Sequence, residues 1–256
     1  MKSIKLFLFI IVINSPILCQ VEGDIWDQEQ ISNITVLLHQ QINDSLASIG
    51  SGTIVNHQNT FYLLTATHIA KKIKNNAKIV FRLDNDKPDI VDLIQIVKDN
   101  KLTWDDHSVA DISIIELVPH NEKIKKRLET WSFPSNLINN GENLPERAAD
   151  ITFLGFPVLD MKMNHFSPLI FKGYRSSGLI TQKRADTNTA SDFYYLNVPS
   201  IQGCSGSGVY ISVKNGMYLS FGKTIMIGIV HGTHGDNTGG KMAAITPSYY
   251  IFDLFK

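Results

Sequence analysis

The sequence predicts an all-β protein, and three observations carry that prediction. Short apolar runs rich in Ile, Val, Leu, Phe and Tyr recur at roughly 8–12-residue spacing from Ala47 onward. Clusters of Gly, Asn, Asp and Pro separate them, as tight turns require. Between the strands no run carries the 3.6-residue apolar period of an amphipathic helix. Antiparallel β-barrels or a sandwich follow from this pattern. At 256 residues and 43% hydrophobic content the chain can bury a substantial core, as one large domain or two small ones.

In chain order, residues 1–23 have the layout of a secretory signal peptide. A short basic end, Met1 to Lys5, precedes the apolar run Leu6 to Ile13, closed by Asn14, Ser15 and Pro16, with cleavage after Cys19 or Gly23. The protein is therefore expected to be secreted or periplasmic, and to touch a membrane only if this segment stays uncleaved. Residues 24–46 form an N-terminal segment or propeptide in which Ile31 to Leu38 is the first strand or a short helix. Asn33-Ile34-Thr35 and Asn43-Asp44-Ser45 fit the glycosylation pattern. From Ala47 a hairpin follows, Ser48 to Val55 and Thr60 to Ala66 around the polar turn Asn56 to Asn59. Its second strand runs into a helical turn near Thr67.

Further strands are expected at Lys78 to Leu83, Ile90 to Val97 and Asp111 to Leu117. Residues 119–147, with Pro119, Pro134, Pro145 and the basic cluster Lys123 to Arg127, look like a connection. Strands resume at Asp150 to Phe156, Gly178 to Gln182, Phe193 to Val198, Val209 to Val213, Thr224 to Val230 and Met242 to Thr246. A short aromatic-rich tail, Ser248 to Phe255, with a helix as one option, ends the described pattern.

Composition narrows the partners. Lys plus Arg number 24 and Asp plus Glu number 24, so no net charge draws the chain to nucleic acid or to an acidic membrane surface. Of the two cysteines, Cys19 falls in the signal segment. The mature chain is left with Cys204 alone and no internal disulfide.

The chemistry centres on Gln202-Gly203-Cys204-Ser205-Gly206-Ser207-Gly208, a small-residue turn between two strands. A serine hydroxyl becomes a nucleophile when a base takes its proton and backbone N–H groups hold the oxyanion that forms. Gly203 permits a positive φ, which lets its N–H and that of Ser205 point into one hollow. The alternative for this stretch alone is a tight hairpin loop with Ser205 as a turn residue. Among eight histidines, His68 ends an apolar strand, and Asp111 heads the apolar run Ile112 to Ile115, where an ionised carboxylate needs compensation. A base fixed by a buried carboxylate is the partner that a nucleophilic serine requires.

The order His68, Asp111, Ser205 and the motifs Thr65-Ala66-Thr67-His68, Asp111-Ile112-Ser113-Ile114-Ile115 and Gly203-Cys204-Ser205-Gly206-Ser207-Gly208 resemble the chymotrypsin-like (trypsin-fold) serine proteases. The hairpin Gly50 to Val55 resembles that family's first hairpin. The motif style is similar to bacterial exported members of the glutamyl-endopeptidase and heat-shock types. The resemblance implies two six-stranded antiparallel β-barrels, about 47–118 and 148–256, joined by the 119–147 linker, with the active site in the cleft. It implies a catalytic triad of His68, Asp111 and Ser205, an oxyanion hole at Gly203 and Ser205, and a polypeptide substrate lying along Ile227 to Gly232. No cofactor is implied.

Two departures stand out: Cys204 replaces the usual Asp or Asn, and Gly232 replaces the usual Trp, which opens one wall of the pocket. Ser200 and His231 would line the pocket, and together they can hold a carboxylate. The resemblance thus implies cleavage after Glu, or otherwise after a small or medium neutral side chain. Cys204 as nucleophile is disfavoured because Ser205 follows it. His231, His234 and Asp236 have weak metal-ligand spacing, and no metal is expected. The rival reading is a catalytically silent protease-like fold that binds peptides or proteins through the same cleft.

Overall fold

A computed structural model describes residues 25–43, 46–83, 85–141, 144–156, 166–184, 186–211 and 223–256. The expected signal peptide, Asp44 and Ser45 of the second glycosylation pattern, and residues 212–213 of one expected strand lie outside the described residues.

The chain opens with helix α1 (Gln28–Ile34), fixed by a capping box: Asp27 Oδ1 accepts from the Gln30 N–H and Gln30 Oε1 accepts from the Asp27 N–H, each at 2.8 Å. The helix passes directly into β1 (Thr35–Asn43), so the stretch that sequence left open between strand and helix uses both. Asn33 of the first glycosylation pattern is buried and accepts from Arg82, which leaves no room for a glycan in this fold.

The hairpin β2 (Leu46–His57) and β3 (Thr60–Thr65) follows, then the single-turn helix α2 (Thr67–Ala70), β4 (Lys78–Arg82), β5 (Pro88–Asp92), β6 (Asp105–Asp106) and β7 (Ser113–Leu117). Thr67 does not cap α2. Its hydroxyl instead accepts from Ser113 Oγ at 3.0 Å, fixing α2 against β7.

Where the sequence was read as a plain connection, the chain forms α3 (Glu122–Thr130) and the short β8 (Phe133–Pro134). Asn121 caps α3 through Oδ1 at 2.9 Å from the Ile124 N–H. Ile124 and Leu128, one turn apart, are buried beneath the basic cluster. Two apolar positions among so many charges gave too little period to read.

The second half comprises β9 (Ile151–Gly155), β10 (Leu169–Gly173), β11 (Ile180–Lys183), β12 (Ala190–Leu196), β13 (Gly208–Ile211), β14 (Ile225–Gly235) and β15 (Lys241–Pro247). A 3₁₀ turn at Ser248–Asp253 forms the expected helical tail.

The strands make two sheets. The first runs β5-β4-β1-β2-β3-β7-β6, with β8 joined to β2, and the second runs β10-β9-β13-β14-β15-β12-β11. Among the strand pairs of the described residues, β2–β8 is the parallel one. The fold is therefore all-β and two-sheeted, with eight and seven strands where the resemblance implied six and six. In the first sheet, β1 comes from the N-terminal segment and lies between β4 and β2, and the two-residue strands β6 and β8 were too short to detect; in the second, β10 is an edge strand on β9 where no strand was expected.

One core runs through both halves. Ile34, Val36, Leu63, Ile79, Ile114 and Leu117 pack with Leu154, Tyr210, Met226 and Ile229 of the second sheet. The tail crosses back to insert Ile251 and Leu254 into this cluster. A second cluster, around Phe153, Tyr194, Val209, Val230 and Ile245, also holds Cys204. Among the described residues Cys204 is a free cysteine, and buried apolar surface on this scale is the main stabilising term.

Candidate active site

The site lies where the two sheets meet. His68 is the second residue of α2, placed at the end of β3. Asp111 sits just before β7 and is fully buried. The two are held at two points: His68 Nδ1 lies 2.7 Å from Asp111 Oδ2, and the His68 main-chain N–H donates to Asp111 Oδ1 at 3.0 Å.

Two residues of the second half reach the same carboxylate. His231 Nδ1 lies 2.5 Å from Asp111 Oδ2, and Arg184 Nη2 donates to Asp111 Oδ1 at 3.1 Å. Arg184 is itself fixed. Its Nε and Nη2 grip Asp186 at 2.9 and 2.6 Å, and its Nη1 donates to the Val109 carbonyl at 3.0 Å.

Four donors thus satisfy a carboxylate that would otherwise be costly to bury. Burial pushes the Asp111 carboxyl up, but the hydrogen bonds from His231 and His68 outweigh it and hold the group well below the usual carboxylate range. An ionised Asp111 only accepts, so both imidazoles carry their proton on Nδ1 when neutral. Each Nε2 is then left with a free lone pair.

His231 owes its position to a β-bulge. Val230 pairs with Ile245 and Gly232 with Ala244, so His231 has no partner on β15. A bulge re-aims the side chain of its extra residue. Here the ring turns toward Asp111, packs against Phe193 with centroids 4.9 Å apart, and stands edge-on to His68 at 5.6 Å.

Ser205 sits on the loop between β12 and β13, and that loop is pinned from both sheets. From the second, the Gly206 N–H donates to the Val230 carbonyl at 2.8 Å. From the first, the Ser51 N–H donates to the Ser205 carbonyl at 2.9 Å and Ser51 Oγ to the Gly203 carbonyl at 2.8 Å. Gly203 and Gly206 have φ of 100° and 89°. Both lie in the left-handed region that glycine adopts readily. A Cβ on Gly206 would also collide with Thr65 Oγ1 and the Ser51 carbonyl. Ser205 Oγ donates to the His231 carbonyl at 2.9 Å.

Cys204 is fully buried beside Gly155, where a Cβ would come within 2.8 Å of its sulfur. Burial pushes its thiol up to about 11, so it is a protonated packing group at neutral pH.

The other pocket candidates separate. Ser200 Oγ pairs with Thr233 Oγ1 at 2.9 Å, and Thr233 also bonds the Ser200 carbonyl. Ser200 and His231 therefore direct their polar groups to different partners, Thr233 and Asp111. Beside Gly232 there is open space. Asp236 is used within its own turn by Thr238 and Gly240, and His234 packs on Tyr195. Among the described residues, the histidine and carboxylate atoms that converge are those of His68, Asp111 and His231, within 4.8 Å of one another. Both Nδ1 atoms are engaged on Asp111 Oδ2.

Arg184 was missed from sequence. The requirement that a buried Asp111 be compensated was legible, but nothing in a strand-end arginine says which carboxylate it will meet.

No protein-family model matches the chain, and no curated protein matches it. Solved structures do. The Rv3671c protease from M. tuberculosis in its active form superposes with a TM-score of 0.56 at 15% identity, over 88% of this chain and 81% of that one. A scabies mite inactivated protease paralogue gives 0.55 at 14% identity, over 90% and 96%. The HtrA-type protease AlgW with a bound tripeptide gives 0.52 at 15% identity, over 88% of this chain and 60% of that one. The chain therefore has the chymotrypsin-type serine protease fold.

Proposed function

We propose that the chain is a serine endopeptidase, exported from the cell, that cleaves polypeptides through an acyl-enzyme. The observation that carries this reading is the two-point contact of His68 with the buried Asp111, a carboxylate that His231 also reaches while its carbonyl takes the Ser205 hydroxyl. The protease fold around it agrees.

In this mechanism His68 Nε2 takes the Ser205 hydroxyl proton as Oγ attacks the scissile carbonyl. Asp111 steadies the imidazolium that forms. The N–H groups of Gly203 and Ser205 receive the oxyanion, and His68 returns the proton to the leaving amine. Water, activated by the same histidine, releases the acyl group. Before attack, the Ser205 hydroxyl turns from the His231 carbonyl to His68, a rotation about χ1.

Of the two preferences expected at the cut, a small or medium neutral side chain now has more support. His231 Nδ1 is engaged by Asp111 and the Ser200 hydroxyl by Thr233, so the two side chains are committed to different partners in place of one shared carboxylate. A peptide library varied at the residue before the cut tests this; strong turnover of Glu over Gln peptides would reverse it.

A fluorophosphonate probe tests the enzyme reading. It should label the wild-type chain, and the label should vanish in Ser205→Ala. One observation favours the silent binding module instead: the hydroxyl bonds a carbonyl rather than the base. A folded protein that never labels would establish that second reading.

A further inference from the structure

We propose that His107 is a positioning residue for the reaction: its ring shapes the loop that carries Asp111 and ties that loop to the C-terminal tail. The inference rests on the protease reading above and concerns a side chain outside the site already described.

Asp111 ends the loop of the short hairpin β6–β7. Asp105 pairs with Ile114 and Asp106 with Ser113, and the His107 N–H donates to the Ile112 carbonyl at 2.9 Å. Strand pairing stops there, so the main chain from Ser108 to Asp111 must find its partners elsewhere. The His107 ring turns back over it. Nδ1 accepts from the Ala110 N–H at 2.8 Å and from the Val109 N–H at 3.1 Å. Arg184 Nη1 donates to the Val109 carbonyl at 3.0 Å, which holds the same loop from the second sheet. Ala110, beside the acid, is fully buried, where an N–H without an acceptor is costly.

These contacts fix the tautomer of the ring. A nitrogen that accepts carries no proton, so neutral His107 has its proton on Nε2, the reverse of His68 and His231. Nε2 faces Asp253 Oδ2 at 3.1 Å, at the end of the 3₁₀ turn Ser248–Asp253. The His107 side chain is 8% exposed and packs on Tyr250 with ring centroids 4.8 Å apart. The Tyr250 hydroxyl donates in turn to Asp192 Oδ2 at 3.3 Å, and Ile251 and Leu254 anchor the tail in the core.

The effect on chemistry runs through the main chain. Asp111 holds His68 at two points, so a shift of the Asp111 backbone carries the imidazole with it. Small misplacements of a general base are costly: about 1 Å can lose about 100-fold in rate. His107 acts through Asp111 and meets no reacting atom in the proposed mechanism.

What position 107 must supply is an acceptor for main-chain N–H groups two and three residues on. Asn meets that need, because its side-chain oxygen sits close to the place of Nδ1 and commonly accepts from such groups. Gln carries its carbonyl one bond further, nearer the reach of Nε2. Leu fills similar space with no acceptor.

The test is steady-state peptide cleavage by purified full-length chains carrying His107→Leu, His107→Asn and His107→Gln. For His107→Leu we expect kcat to fall about 10- to 100-fold with KM within about twofold of wild type. His107→Asn should stay within about fivefold of wild-type kcat, and His107→Gln should resemble the Leu variant. Wild-type kcat in His107→Leu, a change confined to KM, or equal kcat in the Asn and Gln variants would overturn the inference while leaving the protease reading intact. If the Leu or Gln variant gives no cooperative thermal melt, His107→Asn decides: a larger fall than expected, or no cooperative melt, overturns it. Nitrogen-15 NMR of the wild-type chain, with the His107 ring identified by its loss in His107→Asn, should find the proton on Nε2; a proton on Nδ1 would overturn the inference as well. A wild-type chain that neither cleaves peptide nor labels with a fluorophosphonate would remove the protease reading, and this inference with it.

Discussion

Arg184 Nη2 lies 3.1 Å from Asp111 Oδ1, a contact between side chains that are 2% and 0% exposed and that belong to different sheets. Removing one member of a buried ion pair strands the other charge. Arg184→Met is therefore expected to cost about 3–5 kcal/mol of stability. Arg184→Lys should recover only part, because an ammonium cannot bridge Asp186 and Asp111 as the guanidinium fork does. Urea denaturation measures both; an unchanged midpoint in Arg184→Met would contradict the role given to this pair.

Acid should act on the same carboxylate. The folded value for Asp111 is held below the unfolded value of about 3.9. Its contribution to stability is fully present above that unfolded value and is lost as pH falls toward the folded one. The difference in melting temperature between wild type and Asp111→Asn should narrow as pH falls below about 4. A difference that widens with acid would reverse the assignment.

Cys204 should resist alkylation. With its thiol pushed up to about 11 and its side chain buried, the native protein at pH near 8 should react with iodoacetamide on the order of 100-fold more slowly than the urea-unfolded chain. Mass spectrometry of the modified peptide reads the ratio. Equal rates would show that the sulfur is reachable in the folded state.

Residues 25–46 should be indispensable to folding. β1 pairs with β2 from Thr35↔Thr53 to Asn43↔Leu46 and with β4 from Leu37↔Val80 to His39↔Lys78, so its loss opens the first sheet in the middle. A chain beginning at Ile25 should melt cooperatively by circular dichroism, and one beginning at Ala47 should not. A cooperative melt of the shorter chain would mean that β1 is an accessory strand.

Much of this architecture was legible because strand physics is local. The hairpin β2–β3 announced itself by apolar runs around a polar turn. His68 and Asp111 stood out as polar groups carried to the edge of apolar strands. What escaped was of two kinds. Helix α3 hid its two buried residues among charges, and β6 and β8 were too short for any period. The other kind is partnership across sequence distance. His231 was expected to face substrate, and its bulge arises from a register offset between β14 and β15 that neither strand displays alone. Thr233, which claims the Ser200 hydroxyl, is of the same kind.

Ser51 belongs to the first sheet yet has three of its polar contacts in the second: its N–H on Ser205, its Oγ on Gly203, and that same Oγ accepting from the Phe156 N–H at 3.0 Å. The loop that carries Ser205 is thus shaped partly by a residue some 150 positions earlier in the chain. A split version of the gene, cut in the connection around α3, would yield two fragments neither of which holds a formed Ser205 loop. Under the proposed function, peptide cleavage would then appear only on reassembly and rise with fragment concentration, so that activity reports association.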